Sequence, residues 1–364
     1  MTEVPAAAAS GPRAGRARPV EGRSPAPCYG ALDLGTNNCR LLIAAPVGPR
    51  ADAGFRVVES FSRIVRLGEG LSLTGRLDPA AMERALAALQ ICADKVRRRQ
   101  VLKLSAVATQ ACRAAENGGA FIAEVKRRTG LDLRVIDPSE EAALSVAGCV
   151  NLLDRTSDAA LVIDVGGGST ELSWVDLAAW RALEGAASVK APPVRGGMSM
   201  PIGVVTLAER FPETGDRGPW YRAMVEHVKD ALAAFPEREV LAEVFASGAG
   251  HLVGTSGAIT SLAGLHLGLP RYDRNRVDGL WLTDADCARA ADRLMALEPK
   301  ERAKSPCIGA DRADLVLAGA AILQAVQETW PCPRVRVADR GLREGLLLSL
   351  LSERAPPRRR RRRR

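Results

Sequence analysis

Short apolar runs closed by polar or glycine-rich turns alternate along this sequence with longer stretches of helical period. The short runs predict strands at 29–34, 39–44, 55–65, 104–108, 133–136, 160–163, 172–175, 251–255 and 335–338. Between them, Asp78 followed by Pro79 opens a helix to about residue 98, with Met82, Leu86, Leu89 and Val96 on its apolar face. A helix over 120–128 stops at Gly130, and another runs from Pro138, with Ser139 as its cap, to about residue 153. Further helices are expected at 220–235, from 258 onward, to residue 329 after a cap at 309–314, and at 342–351. Residues 66–71 and 184–197 read as loops. Strands alternating with helices indicate an α/β protein. The polar stretch 154–158 divides it into domains 28–153 and 154–353, with a return of the closing helix 342–351 towards the first domain left open.

The chain is organised around residues 160–175, ALVIDVGGGSTELSWV, in which Asp164 interrupts the apolar run and three glycines follow. Gly166, Gly167 and Gly168 carry no Cβ, so successive backbone N–H groups can close on an anion. Ser169 and Thr170 add hydroxyls, and Asp164 and Glu171 flank the turn with carboxylates. Phosphate arriving with Mg²⁺ fits that set, because Mg²⁺ prefers one or two carboxylates plus phosphate oxygens and water. A glycine-rich hairpin with Asp164 in an Asx-turn is the structural alternative, and the stretch alone leaves both open.

The same Asp-x-Gly form occurs 131 residues earlier, as Asp33-Leu34-Gly35 followed by Thr36 and Asn37. Two such turns between strands point to an internal duplication with one phosphate loop per domain. A third glycine-rich strand end, Gly254-Thr255-Ser256-Gly257, is a further candidate for phosphate or nucleoside contact. It lacks the Lys-Ser/Thr of a Walker loop and does not fit G-x-G-x-x-G. Arg113 lies near the mouth where strand ends gather, with a solvated helix-start cation as its alternative. Glu140 and Glu141 stand in a first helical turn, where acids suit the dipole, but two together leave one free for a cleft. The three histidines form no cluster.

Composition changes this picture little. At 364 residues two domains are expected, and 47% hydrophobic with 4% aromatic content means cores of Ala, Val and Leu. The net charge of +9 suggests nucleic acid until it is located. Residues 1–27 carry +2 and 354–364 carry +8, so the body is nearly neutral at −1. The ends read as a disordered leader and a disordered basic tail. Eight scattered cysteines without a C-x-x-C pair, and no secretory signal or membrane-length apolar run, lead to the expectation of a reduced, cytoplasmic protein without membrane contact.

Nine segments taken in order carry a resemblance: ALDLGTNNCRLLIA, RLGEGL, VATQACRAAEN, IDPSEEA, VIDVGGGSTEL, MPIGVVTL, GTSGAI, GADRADLVLAGAAIL and ADRGLREGLL. Together they resemble the exopolyphosphatase and guanosine pentaphosphate phosphohydrolase family, Ppx/GppA, a branch of the actin-like phosphate-binding superfamily. The resemblance implies two ribonuclease-H-like domains flanking a cleft. It places the catalytic glutamate on Glu141 and the metal-associated acids on Asp164 and Glu171. The phosphate sites it implies fall on Asp33, Gly35, Thr36 and Asn37, on Gly166 to Thr170, and on Arg113. Members often carry Ser where this chain has Thr36 and Asn38. Longer relatives continue into helical domains that help hold long polyphosphate, whereas this sequence ends soon after GLREGLL.

The expected function is therefore a phosphohydrolase, using Mg²⁺ or in its place Mn²⁺, that releases terminal orthophosphate from inorganic polyphosphate or guanosine pentaphosphate. Two other readings stay open: an ATP-dependent kinase or ATPase of the same superfamily, and a non-catalytic sensor of polyphosphate or alarmone. The basic tail is read as a tether for polyanions such as polyphosphate or RNA, and a homodimer is left open.

Overall fold

The computed structural model describes residues 27–48, 54–183 and 192–353. The leader and the seven-arginine run at 358–364 lie outside the described residues. Two sheets result. The first comprises β1 (Tyr29–Leu34), β2 (Asn38–Pro46), β3 (Phe55–Ile64), β4 (Lys103–Ala108) and β5 (Arg134–Val135), in the order β3-β2-β1-β4-β5. The second comprises β6 (Ala159–Val165), β7 (Thr170–Asp176), β8 (Val194–Met200), β9 (Gly250–Thr255), β10 (Trp281–Thr283) and β11 (Arg334–Ala338), in the order β10-β11-β9-β6-β7-β8. Within each sheet a central hairpin is antiparallel and its first strand pairs in parallel with a later one, β1 with β4 and β6 with β9. The duplication expected from the two Asp-x-Gly turns is thus a duplication of sheet topology, in a mixed α/β protein with the actin-like two-domain fold.

Local chemistry explains several element ends. Asp78 accepts from the amides of Ala80 and Ala81 to cap the Pro79–Arg98 helix, and Gly130 closes the Gly118–Thr129 helix at φ 73°. The Pro138–Cys149 helix is capped by Asp137, which accepts from Glu140 N, and not by Ser139. Pro138 takes the first helical position, where its missing N–H costs nothing, and so moves the cap one residue upstream of it. Asp164 does not interrupt β6, which runs on to Val165 because pairing with β7 and β9 supplies its hydrogen bonds. Part of the loop expected at 184–197 is strand β8, held by β7 despite Gly196 and Gly197. The helix ending at Thr329 starts at Val316, after a separate tight turn at 310–312. The sequence pattern gave no element for 274–304, where the Asp284–Ala296 helix and the three-residue β10 form.

Two helices cross between the sheets. The Pro138–Cys149 helix leaves the first domain yet sends Val146 and Cys149 against Ala160 and Val162 of β6. The Leu342–Ser352 helix leaves the second domain yet packs Leu346, Leu347 and Leu350 against Tyr29, Ala31 and Leu42 of the first sheet. They cross at two glycines: a Cβ on Gly148 would overlap the Gly341 carbonyl, and one on Gly345 the Leu144 carbonyl. That close approach sets where the first turn of the Pro138–Cys149 helix, with Glu141, meets the cleft. No described helix is long and apolar enough to cross a membrane.

Candidate active site

The two Asp-x-Gly turns have the same internal geometry. Gly35 N donates to Asn38 O at 2.8 Å, and Gly166 N donates to Ser169 O at 2.9 Å. Their carbonyls are tied away from the cleft: Thr36 O accepts from Gly68 N, Asn37 O from Val65 N, and Gly166 O and Gly167 O from Val204 N and Val205 N. Among the described residues, the amides of Thr36, Asn37, Gly167, Gly168 and Ser169 donate to nothing. Four of these positions are buried and Gly167 is half-buried, and unpaired main-chain donors there are costly unless water or a ligand completes them. The turns also touch. Gly167 and Gly168 lie so close to Thr36, Asn37 and Gln110 that side chains at those glycines would collide with them.

The strands fix the carboxylates. Asp164 faces Glu171 directly across the β6–β7 ladder, and in the first domain Asp33 faces Arg40 across β1–β2. Cross-strand partners share a face of the sheet, so one hairpin presents two acids and its counterpart an acid and a base. Glu141 enters from its helix and is paired with Arg113 Nη1 at 3.2 Å, an atom that also donates to Ile136 O at 2.7 Å. One turn on from Glu141, Ser145 donates to Asp164 Oδ2. Ser199 donates to Glu171 Oε1 at 2.8 Å.

Burial raises all four acids. Glu141 is driven well up by burial and then by the charges of Glu171 and Asp164, against Arg113. Glu171 rises through burial and Asp164, with the Ser169 and Ser199 hydroxyls holding it back. Asp164 rises through burial, opposed by Ser145 and Arg40. Asp33 is pushed up to about 6 by burial, with Arg40 and Arg343 pulling against it. Such mutual repulsion is what a bound cation relieves. Among the described residues no three Asp, Glu, His or Cys side chains form a closed metal cage. The paired Asp164 and Glu171, beside unpaired amides that suit phosphate, instead match the partial carboxylate anchorage Mg²⁺ takes.

A cavity of about 600 Å³ runs from this cluster along the cleft, lined by Asp33, Gly35, Asn37, Glu141, Asp164 and Gly166 at one end. Ser256 and Gly257 line it further out, at the start of the Gly257–His266 helix. Ser256 has φ 102° and a buried hydroxyl without a partner, strain that a non-glycine residue bears at functional positions. Not every expected residue reaches the cavity. Gly254 lies within β9 beneath Ile259, where its missing side chain lets the helix approach. Thr170 spends its hydroxyl on Ile202 O at 2.6 Å, and Arg113 stands behind Glu141.

Sequence reasoning missed Ser145, Ser199 and three arginines, Arg40, Arg312 and Arg343. Each arginine lines the cavity, and its side chain makes no hydrogen bond or ion pair among the described residues. Two signals were available: Ser145 follows Glu141 at helical spacing, and the 131-residue offset aligns Arg40 with Glu171. Nothing local marks Arg312, Arg343 or Ser199.

The model of the Ppx/GppA phosphatase family matches residues 47–354. The chain is 30% identical over 334 residues to exopolyphosphatase 2 of Mycobacterium tuberculosis, spanning 88% of this chain and 97% of that one. The crystal structure of the Aquifex aeolicus Ppx/GppA family member superposes with a TM-score of 0.70 at 28% identity, covering 90% of this chain and 99% of that one. An exopolyphosphatase structure from Cytophaga hutchinsonii shares the fold with a TM-score of 0.76 at 23% identity, over 89% and 97% of the two chains. Mirrored Asp-x-Gly turns, the acid cluster between them and these matches agree: the chain belongs to the Ppx/GppA phosphatase family and is a phosphohydrolase.

Proposed function

We propose that the chain removes the terminal orthophosphate of inorganic polyphosphate, or of guanosine pentaphosphate, by direct attack of water. The observation that carries this is the set of five unpaired amides on two mirrored turns beside four acids, Glu141 and Glu171 buried and Asp33 and Asp164 half-buried. The terminal phosphoryl group lies between the turns, and the amides of Thr36, Asn37, Gly167, Gly168 and Ser169 meet its oxygens. Preorganised donors aimed at developing charge are the main source of catalysis in such transfers. Asp164 and Glu171 would hold Mg²⁺, or Mn²⁺ in its place, which when bound offsets the charge of the phosphate oxygens. Glu141 takes the proton of the attacking water as the new P–O bond forms. The bridging P–O bond breaks, and its electron pair leaves on the shortened substrate. Arg113 holds Glu141 in position. The rest of the polyanion extends along the cavity past Arg40, Arg312 and Arg343.

Phosphate release from polyphosphate, guanosine pentaphosphate and ATP, measured side by side, tests the reading. Release from one of the first two, absent in Glu141→Gln, supports it. Release from ATP alone would favour an ATPase, and binding without release a sensor.

A further inference from the structure

The Gly35–Asn38 turn separates two cavities. Gly35, Asn37 and Asn38 line the front cavity, whereas Thr36 lines a second one of about 420 Å³ behind it. Thr36 Oγ1 donates to Gln110 Oε1 at 3.1 Å, and Gly168 of the other domain closes against both. The rear cavity passes Thr206 to a rim formed by exposed Ser72, Leu73, Ala114 and Arg210. Arg210 makes no ion pair among the described residues and lies 6.0 Å from the Phe211 ring. Glu209 also lines this space, but its carboxylate is taken by Gly70 N at 2.8 Å and Ser72 Oγ at 2.6 Å.

A polyanion in the front cavity leaves the cleaved phosphate at the closed end, with the remaining substrate across its way out. We propose that the rear cavity is the exit for orthophosphate, and that the Thr36–Gln110–Gly168 contact is its gate. This rests on the function proposed above. The gate joins the two domains, so a small separation of them opens it without displacing the remaining chain. Along the way the Gln110 amide nitrogen has no partner among the described residues, whereas the Thr206 hydroxyl is held by Gly203 and that of Ser72 by Glu209, so Arg210 is the charge that draws the anion outward.

Ala114→Trp narrows the rim without touching the catalytic cluster. Arg210→Glu opposes the anion without adding bulk, and Arg210→Lys restores the charge. For each variant, total phosphate after acid quench and free phosphate from a fluorescent phosphate sensor are followed on long polyphosphate and on tripolyphosphate. Once product release limits turnover, steady-state rate on long polyphosphate falls by about five-fold or more in Ala114→Trp and Arg210→Glu. Quenched phosphate then precedes free phosphate, Arg210→Lys behaves as wild type, and tripolyphosphate, whose short product frees the front, is little affected. Coincident total and free phosphate in both variants, at wild-type rates, overturns the exit alone. A wild-type protein that releases no phosphate from either substrate overturns the proposed function, and the exit with it.

Discussion

Glu141 and Ser145 share one face of one helix and act on the cluster from the same side: Glu141 pairs with Arg113, and Ser145 donates to Asp164. If Glu141 is the base, Glu141→Gln lowers turnover by about 10²–10⁴-fold. Substrate affinity, measured by equilibrium binding on the same preparation, stays near wild type, since the amides proposed to hold phosphate are unchanged. Ser145→Ala removes the hydroxyl that orients Asp164. Loss of such an orienting partner typically weakens a metal site by about ten-fold or more. Titration calorimetry with Mg²⁺ should show that weakening, with turnover at saturating Mg²⁺ close to wild type. Equal Mg²⁺ affinity in Ser145→Ala would leave the hydroxyl a packing role.

At the scale of elements, the crossing of the Pro138–Cys149 and Leu342–Ser352 helices joins folding to chemistry. Gly148 and Gly345 each abut a backbone carbonyl of the other element, which cannot step aside as a side-chain end can. Gly148→Ala and Gly345→Ala should each cost about 1–3 kcal/mol in urea unfolding, as overpacked sites do. They should also lower turnover, because the displaced helix carries Glu141. Gly119 lies in the exposed start of the Gly118–Thr129 helix with nothing within 4 Å of an added Cβ. Gly119→Ala, the control, should be neutral or slightly stabilising. A Gly345→Ala protein as stable and active as wild type would contradict this account of the crossing.

Over the whole molecule, the contacts that bridge the domains include two away from the acid cluster. Arg66 pairs with Asp314 at 3.0 Å, and Glu209 accepts from Gly70 N and Ser72. Exposed ion pairs contribute at most about 1 kcal/mol each, enough to bias a domain equilibrium without locking it. Arg66→Ala combined with Glu209→Ala should enlarge the radius of gyration in small-angle scattering and raise KM more than it lowers kcat. Stability should also depend on pH through His251. Its Nε2 accepts from Asp154 N, and burial lowers its pKa from 6.5 to about 4. The unfolded chain then takes up a proton below about 6.5 that the folded one refuses until about 4, so stability falls as pH drops through that window. Urea unfolding of His251→Gln at pH 7 and pH 4.5 should show a smaller loss than wild type.

What the sequence by itself determined is what local chemistry and repetition determine. The caps Asp78 and Gly130, most strands of both sheets, the duplicated turns and the acids beside them are all readable there, because each depends on a few neighbouring residues. The family was readable for a related reason: several separated motifs stand in one order. Tertiary structure decided the rest. β8 forms through pairing with β7 against the preference of its own glycines, and β6 runs through Asp164 because both neighbouring strands supply its hydrogen bonds. Thr170 and Gly254 resemble cradle residues in sequence, yet one is held by Ile202 and the other lies under Ile259. Arg343 reaches the cleft only because its helix returns to the first sheet. The five amides stay unpaired while distant backbone groups hold the Thr36, Asn37, Gly166 and Gly167 carbonyls of the same turns. Side-chain identity fixes which atoms a turn offers, but their direction is set by partners far away in the chain.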